Sequence, residues 1–413
     1  MTETTVGGGS LDGRAPIPFE ISRNGAIRVG IALLVVIGLI IATHLLYTPD
    51  AQRQGMRDSF SLLIGVALGI AMIRGRFCFF CILRDFIEHG NSGGLFSIVT
   101  ALAVGGIGYA IVFGAQLPNP SRGTASLTAH IGPVSWVLLA AGGAFGIGMA
   151  LSGACVSGHL YRLGEGYLRA PIALFGTLIG FGVGFFTWQS MYLEAIRPAP
   201  VAWLPETIGY GGALTVHLVV LSVIAIFLLR FLPSLPARES GKITVKSLYE
   251  TVFVQRWNPL FTGALVGMIG TFAYFRVNPL GVTSQISTIA RTTLQNGGYL
   301  GDRLIGLDTF RGCAALIANT ITENGWLVIG LVFGSFAVAL MGNKFKLSTL
   351  TVRNSTTALL GGILMGWGSM LALGCTVGTL LSGISAFAIS GWVFAIATFI
   401  GVWVGIKLKL HTL

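Results

Sequence analysis

Residues 142–158 read GGAFGIGMALSGACVSG and residues 361–378 read GGILMGWGSMLALGCTVG. The two are copies of one pattern. Gly142, Gly146, Gly148, Cys155 and Gly158 recur, at a constant offset of 220 residues, as Gly362, Gly366, Gly368, Cys375 and Gly378. Five positions, four glycines and a cysteine, kept in one register mark an internal repeat far more firmly than a lone GxxxG does. Each copy reads as an apolar helix with a small-residue face, broken at a cysteine. Further along, Thr177, Ile179, Gly180, Val183 and Gly184 return at offset 221 as Thr398, Ile400, Gly401, Val404 and Gly405. Upstream, Gly65 and Gly69 match Gly263 and Gly267 at offset 198. The smaller offset places a longer connection in the second half, within 276–325, which reads as an outer re-entrant segment plus an extra loop helix.

The chain has 413 residues, 53% of them hydrophobic and only 10% charged, with mean hydropathy +0.80. Soluble domains carry about 25% charged residues. The class is therefore an all-α polytopic membrane protein. Apolar runs long enough for about 30 Å of hydrocarbon lie near 26–47, 57–73, 94–115, 131–151, 171–191, 213–232, 257–275, 326–343, 355–374 and 389–409. With the N-terminus placed in the cytoplasm, most of the 26 Lys and Arg residues fall on the cytoplasmic side, which predicts both termini inside. The net charge of +11 thus reads as loop anchoring, not as a nucleic-acid surface.

Ten spans divide into two sets of five. An odd number per half inverts the second half relative to the first, the inverted-repeat plan of many transporters. Residues 1–25 form a polar cytoplasmic tail, with no cleaved signal peptide expected. The first repeat covers 26–212 and the inverted second repeat 213–413, with a cytoplasmic linker at 233–256. Four short elements, 77–87, 155–163, 280–289 and 375–384, span about 10 residues each and are too short to cross. Irregular backbone inside a bilayer is tolerated only where protein or water lines it. These elements read as re-entrant half-helices, two from each side; the alternative is surface turns.

Cys155 and Cys375 sit where a long helix breaks and a short one begins. Free N–H groups at such a break favour anions. A protonated thiol adds a weak donor and a soft, polarisable sulfur, whereas a thiolate would repel an incoming anion. Weak contacts suit a solute that must leave again. The plainer reading is that a buried cysteine is a small apolar core residue. Cys78 and Cys81 form a CxxC in RGRFCFFC. A redox pair or half a zinc site are alternatives, but no second pair with zinc spacing exists. A path-facing Cys78 with Cys81 one turn away is simpler. Cys313 has no assigned role. His159 shares a helical face with Cys155. His159 and Arg162 read as residues of the cytoplasmic mouth that attract anions or cap the half-helix. Arg74, Arg76 and Arg84 crowd the same end, either as anchors or as substrate contacts. Secondary contacts are therefore Cys81, His159, Arg76 and Arg162. No metal or cofactor is expected. Nucleotide-binding fingerprints are absent in the right context, and no mid-span Asp or Glu suggests proton coupling.

The segments RGRFCF (74–79), GIGMALSGACVSGHLYRLGEG (146–166) and GCTVGTLLSGI (374–384) resemble the three signature segments of the YeeE/YedE family of bacterial membrane proteins. The resemblance covers roughly 57–190 and 257–408. It implies uptake of thiosulfate, or a related sulfur anion, across the bacterial inner membrane by an hourglass-shaped inverted repeat. It also implies that Cys78, Cys155 and Cys375 carry the path, without covalent chemistry. Cys81 and Cys313 are additional to that set and leave selenium or other sulfur species open as substrates. The alternative from another class is a membrane thiol oxidoreductase or sulfurtransferase using Cys78 and Cys81. Some family members pair with a small cytoplasmic sulfur-relay protein of the TusA type, a partner the resemblance allows here.

Overall fold

The computed structural model describes residues 23–47, 54–123, 128–232, 249–301, 303–307 and 317–412. Cys313, most of the expected 233–256 linker and nearly all of the 1–25 tail lie outside the described residues. So does much of the expected loop helix after 300. The described chain consists of helices, α1 (Arg23–Leu46), α2 (Gln54–Gly75), α3 (Phe79–His89), α4 (Gly93–Gln116), α5 (Trp136–Ser152), α6 (Val156–Glu165) and α7 (Arg169–Met191), then α8 (Leu204–Leu229), α9 (Pro259–Arg276), α10 (Ser284–Asn296), α11 (Glu323–Met341), α12 (Val352–Leu371) and α13 (Ile389–Lys407). Between α12 and α13, Thr376–Ser382 winds as a π-helix. The described residues contain no strand, only an isolated bridge between Trp203 and Ala388.

Local sequence sets these boundaries. Ser135, Thr322 and Thr351 cap α5, α11 and α12, each accepting from a backbone N–H three residues on, which satisfies a donor the first turn leaves free. Gly153 and Gly166 end α5 and α6 at φ 79° and 92°, left-handed positions where a β-carbon is strained. One boundary differs from the sequence reading. The helix expected from 213 begins at Leu204, with Pro205 in its first turn and a break at Gly209. The glycines at 209, 211 and 212 disguised its start as loop, so the line drawn at 212/213 falls inside α8.

Eight of the described apolar runs are long enough to cross a membrane, or nine if α12 and the π-wound segment, bent by 44° at Cys375, form one broken span. The expected span at 257–275 appears as α9, which is 18 residues long and ends in Arg276; it is not among those runs. Four short helical elements occur near the expected segments, the third displaced from 280–289 to Ser284–Asn296. The first two continue the long helices before them, so that Gln54–His89 and Trp136–Glu165 are runs of 36 and 30 residues. At 1.5 Å per residue these exceed the hydrocarbon thickness of about 30 Å. The excess is the short helix beyond each break.

Helices in lipid gain little from apolar burial against one another, so close packing of small residues carries the association. The close contacts here are exchanged between halves in matched pairs. A β-carbon on Gly65 or Gly69 of α2 would strike the carbonyl oxygens of Leu327 or Leu331 on α11. Gly263 and Gly267 of α9 stand in the same relation to Ser97 and Ala101 on α4. In the central layer, Gly146 of α5 lies on Thr398 and Gly401 of α13, and Gly366 of α12 lies on Thr177 and Gly180 of α7. Gly148 meets the Gly361 carbonyl, while Gly368 meets that of Ala141. These contacts come in matched pairs between the halves; in the central layer both partners follow the offsets read from the sequence, and in the outer layer the glycines do. Helix α1 stands apart, with only 6% of its apolar window buried.

Candidate functional site

Cys78, Cys155 and Cys375 are all fully buried and belong to one apolar cluster. Each heads a short helix. Cys78 precedes α3 in extended conformation, following Arg76 at φ 50°. Cys155 is the cap of α6, where its sulfur accepts from the Gly158 N–H at 3.3 Å and lies 3.3 Å from the Ser157 hydroxyl. Cys375 heads the π-wound segment, and its carbonyl accepts from both Thr379 and Leu380. The Cys78 and Cys155 sulfurs are 3.9 Å apart, nearly twice the length of a disulfide bond. Two free thiols thus face one another at the starts of two short helices.

Gly158 makes this meeting possible. A β-carbon there would stand 2.8 Å from the Cys78 sulfur and 3.3 Å from that of Cys155. The repeat glycine one turn after the cysteine is what admits a second sulfur.

The arginines behind the thiols have defined work. Arg162 donates from Nη1 to the Gly153 carbonyl at 3.0 Å and from Nη2 to the Cys81 sulfur at 2.9 Å. Arg169 donates from Nη2 to the Leu151 carbonyl at 2.6 Å and to Thr357 at 2.8 Å. Both guanidinium groups therefore cover the last carbonyls of α5. Helix C-termini carry partial negative charge and N-termini partial positive charge. With the α5 end covered, the positive start of α6 beside Cys155 is left less opposed.

The remaining expected contacts fall in different places. Arg76 is exposed, whereas Cys81 is half-buried on α3. His159 is 3% exposed and its Nε2 has no partner, so it lies within the protein and not at an open mouth. Arg74 is also interior, at 2% exposure, with Nε and Nη2 unpartnered. That burial is incompatible with a lipid-headgroup anchor, and only the fold could reveal it. The sequence reading also passed over Thr283, the residue that caps α10 as Cys78 caps α3. It heads the short helix that follows the Gly263–Gly267 helix, but it is not a cysteine and its distance from those glycines differs from that of Cys78 from Gly65 and Gly69. A small cavity of about 20 Å³ lies on the flank of the Cys375 break, lined in part by His130, Leu373, Thr379 and Ser390. Among the described residues no three His, Cys, Asp or Glu side chains form a metal-holding group.

Lipid-length helices packed on glycine, with interrupted helices meeting at buried thiols, define a polytopic membrane transporter. The chain belongs to the sulphur transport family, whose profile matches residues 74–404. It is 27% identical over 373 residues to the thiosulfate transporter TsuA of Escherichia coli (strain K12), covering 83% of this chain and 92% of that protein. It is 26% identical over 353 residues to the thiosulfate transporter TsuA of Spirochaeta thermophila, covering 83% of this chain and 96% of that one. A shorter match, 31% over 163 residues, joins 38% of the chain to 39% of the probable transporter YedE of Escherichia coli.

Proposed function

We propose that this protein takes up thiosulfate, or a closely related sulfur anion, across the bacterial inner membrane along a path marked by Cys78, Cys155 and Cys375. The observation that carries this reading is the 3.9 Å approach of two free thiols at two half-helix starts. Thiosulfate has a soft terminal sulfur and a charged, oxygen-bearing end. Thiols offer the sulfur weak, polarisable contacts, while the N–H groups of α3 and α6 balance the charge. Neither contact is strong enough to trap the solute. No covalent step is needed, and the protein acts as a carrier, not as an enzyme.

The same reading places the second half inverted relative to the first, with both termini cytoplasmic, as the distribution of Lys and Arg supports. It gives the emerging anion a cytoplasmic acceptor, for which a TusA-type sulfur-relay protein is a suitable class. Cys81, Arg76 and Arg162 then serve the cytoplasmic side, Arg162 by holding Cys81 and the end of α5, while His159 lies inside the bundle.

The test is uptake of radiolabelled thiosulfate into proteoliposomes. Cys155→Ala and Cys375→Ala should each abolish uptake while the protein still inserts as a monodisperse species. Wild-type uptake rates in both variants would refute the thiol path. A persulfide trapped on Cys78 or Cys81 during turnover would assign group transfer instead.

A further inference from the structure

Three of the four short helical elements are headed by cysteine. The fourth, α10, is headed by Thr283. The matched glycine contacts of α2 and α9 make the next short helix of each half equivalent, so Thr283 stands where Cys78 stands. Cys78 meets Cys155; Thr283 is the side chain facing the Cys375 thiol, and its hydroxyl has no closer hydrogen-bond partner. One half thus pairs thiol with thiol, and the other pairs hydroxyl with thiol.

The hydroxyl side is unsatisfied. Thr283 is fully buried, and its Oγ1 has no partner. The same holds for Ser287 one turn along α10, for its neighbour Thr288, and for Thr376 next to Cys375, all at 0% or 1% exposure. Some buried threonines bond to a backbone carbonyl, as Thr177 does to Ala173 and Thr379 to Ala372, while Thr262 and Thr398 are buried singly on α9 and α13 without a partner. A buried hydroxyl left alone costs about 1–3 kcal/mol; Thr283 and Ser287, four residues apart, share one face of α10, and Thr376 adjoins the Cys375 thiol beside which Thr283 lies.

We propose that Thr283, with Ser287 and Thr376, forms a second anion station that grips the oxygen-bearing end of the solute. It complements the thiol pair, which takes the sulfur end. Hydroxyl donors to charged oxygen are stronger and more directional than S–H donors. The start of the 13-residue helix α10 adds backbone N–H groups and the positive end of its dipole. The station selects small anions that carry S–O oxygens over sulfide-like anions that carry none. This inference rests on the transport reading above.

The experiment is binding of sodium thiosulfate to the purified full-length protein, by calorimetry, together with uptake of the labelled anion. Loss of a hydrogen bond to a charged oxygen should weaken binding about tenfold or more. Thr283→Val, which keeps the shape, should show that loss, and Thr283→Ser should restore binding close to wild type. Wild-type binding in Thr283→Val overturns the station while leaving the transport reading intact. Absence of any thiosulfate uptake by the wild-type protein overturns both. Should Thr283→Val aggregate, Ser287→Ala carries the same test; a weakened affinity supports the station and an unchanged one refutes it.

Discussion

Gly158 and the Cys78 sulfur are in such close register that a single methyl on the glycine would fall 2.8 Å from the sulfur. The two residues lie on different helices and are joined only by the fold. The thiol pair is therefore as dependent on a missing side chain as on the two cysteines themselves.

Gly158→Ala should disable transport without removing either thiol. The added methyl must displace Cys78 or tilt α6, and overpacking of this kind costs about 1–3 kcal/mol. Uptake of labelled thiosulfate should fall to the level of Cys155→Ala, although the protein inserts and both thiols remain titratable by a maleimide after unfolding. Uptake at the wild-type rate would show that the 3.9 Å geometry is not what the solute requires.

The same geometry predicts which cysteines couple under oxidation. Cys78 has two candidate partners, its CxxC neighbour Cys81 and the distant Cys155. The Cys81 sulfur is held by the charged Arg162 at 2.9 Å, whereas that of Cys155 has only the neutral Gly158 N–H and Ser157 hydroxyl and faces Cys78 at 3.9 Å. Copper-phenanthroline treatment should give a Cys78–Cys155 disulfide, read by peptide mass spectrometry, with loss of uptake that a reductant reverses. A predominant Cys78–Cys81 bridge would favour the redox alternative.

Much of this arrangement was legible in the chain before any coordinates. Cys155 and Cys375 declared themselves because glycine and cysteine, the types that permit close approach and soft contact, were kept in register over 220 residues. The four short helices were visible because apolar segments of that length cannot cross a bilayer. What stayed hidden depended on distance between separate segments. Nothing in RGRFCF says that Cys78 meets Cys155, and nothing around Arg74 says that its guanidinium is interior. Thr283 escaped because the second half lengthens between α9 and α10, which shifts the register, and because its hydroxyl shares no residue type with the thiol it replaces. The start of α8 was concealed by Gly209, whose φ of 70° interrupts a helix that resumes at once.

Arg162 distinguishes capping from solute attraction. If its principal work is to hold the Gly153 carbonyl and Cys81, Arg162→Lys cannot replace both bonds, because an ammonium lacks the planar fork. Thermal stability in detergent should drop by about 1.5–3 kcal/mol, the range for a hydrogen bond to a charged group, with the maximal uptake rate reduced and KM little changed. A raised KM with unaltered melting temperature would instead make Arg162 a solute contact.

The exchange of contacts between halves predicts equal sensitivity at equivalent glycines. Gly146 lies on the Thr398 and Gly401 backbone, and Gly366 on that of Thr177 and Gly180. Neither glycine has a flexible neighbour that could yield, since both face main chain. Gly146→Ala and Gly366→Ala should therefore destabilise the bundle alike, by about 1–3 kcal/mol each. Gly143→Ala, at a position with open space around it, should be neutral. Thermal unfolding in detergent measures all three. A large loss at Gly146 with none at Gly366 would mean that the two halves do not share one packing scheme, and the equivalence of Cys78 with Thr283 would fall with it.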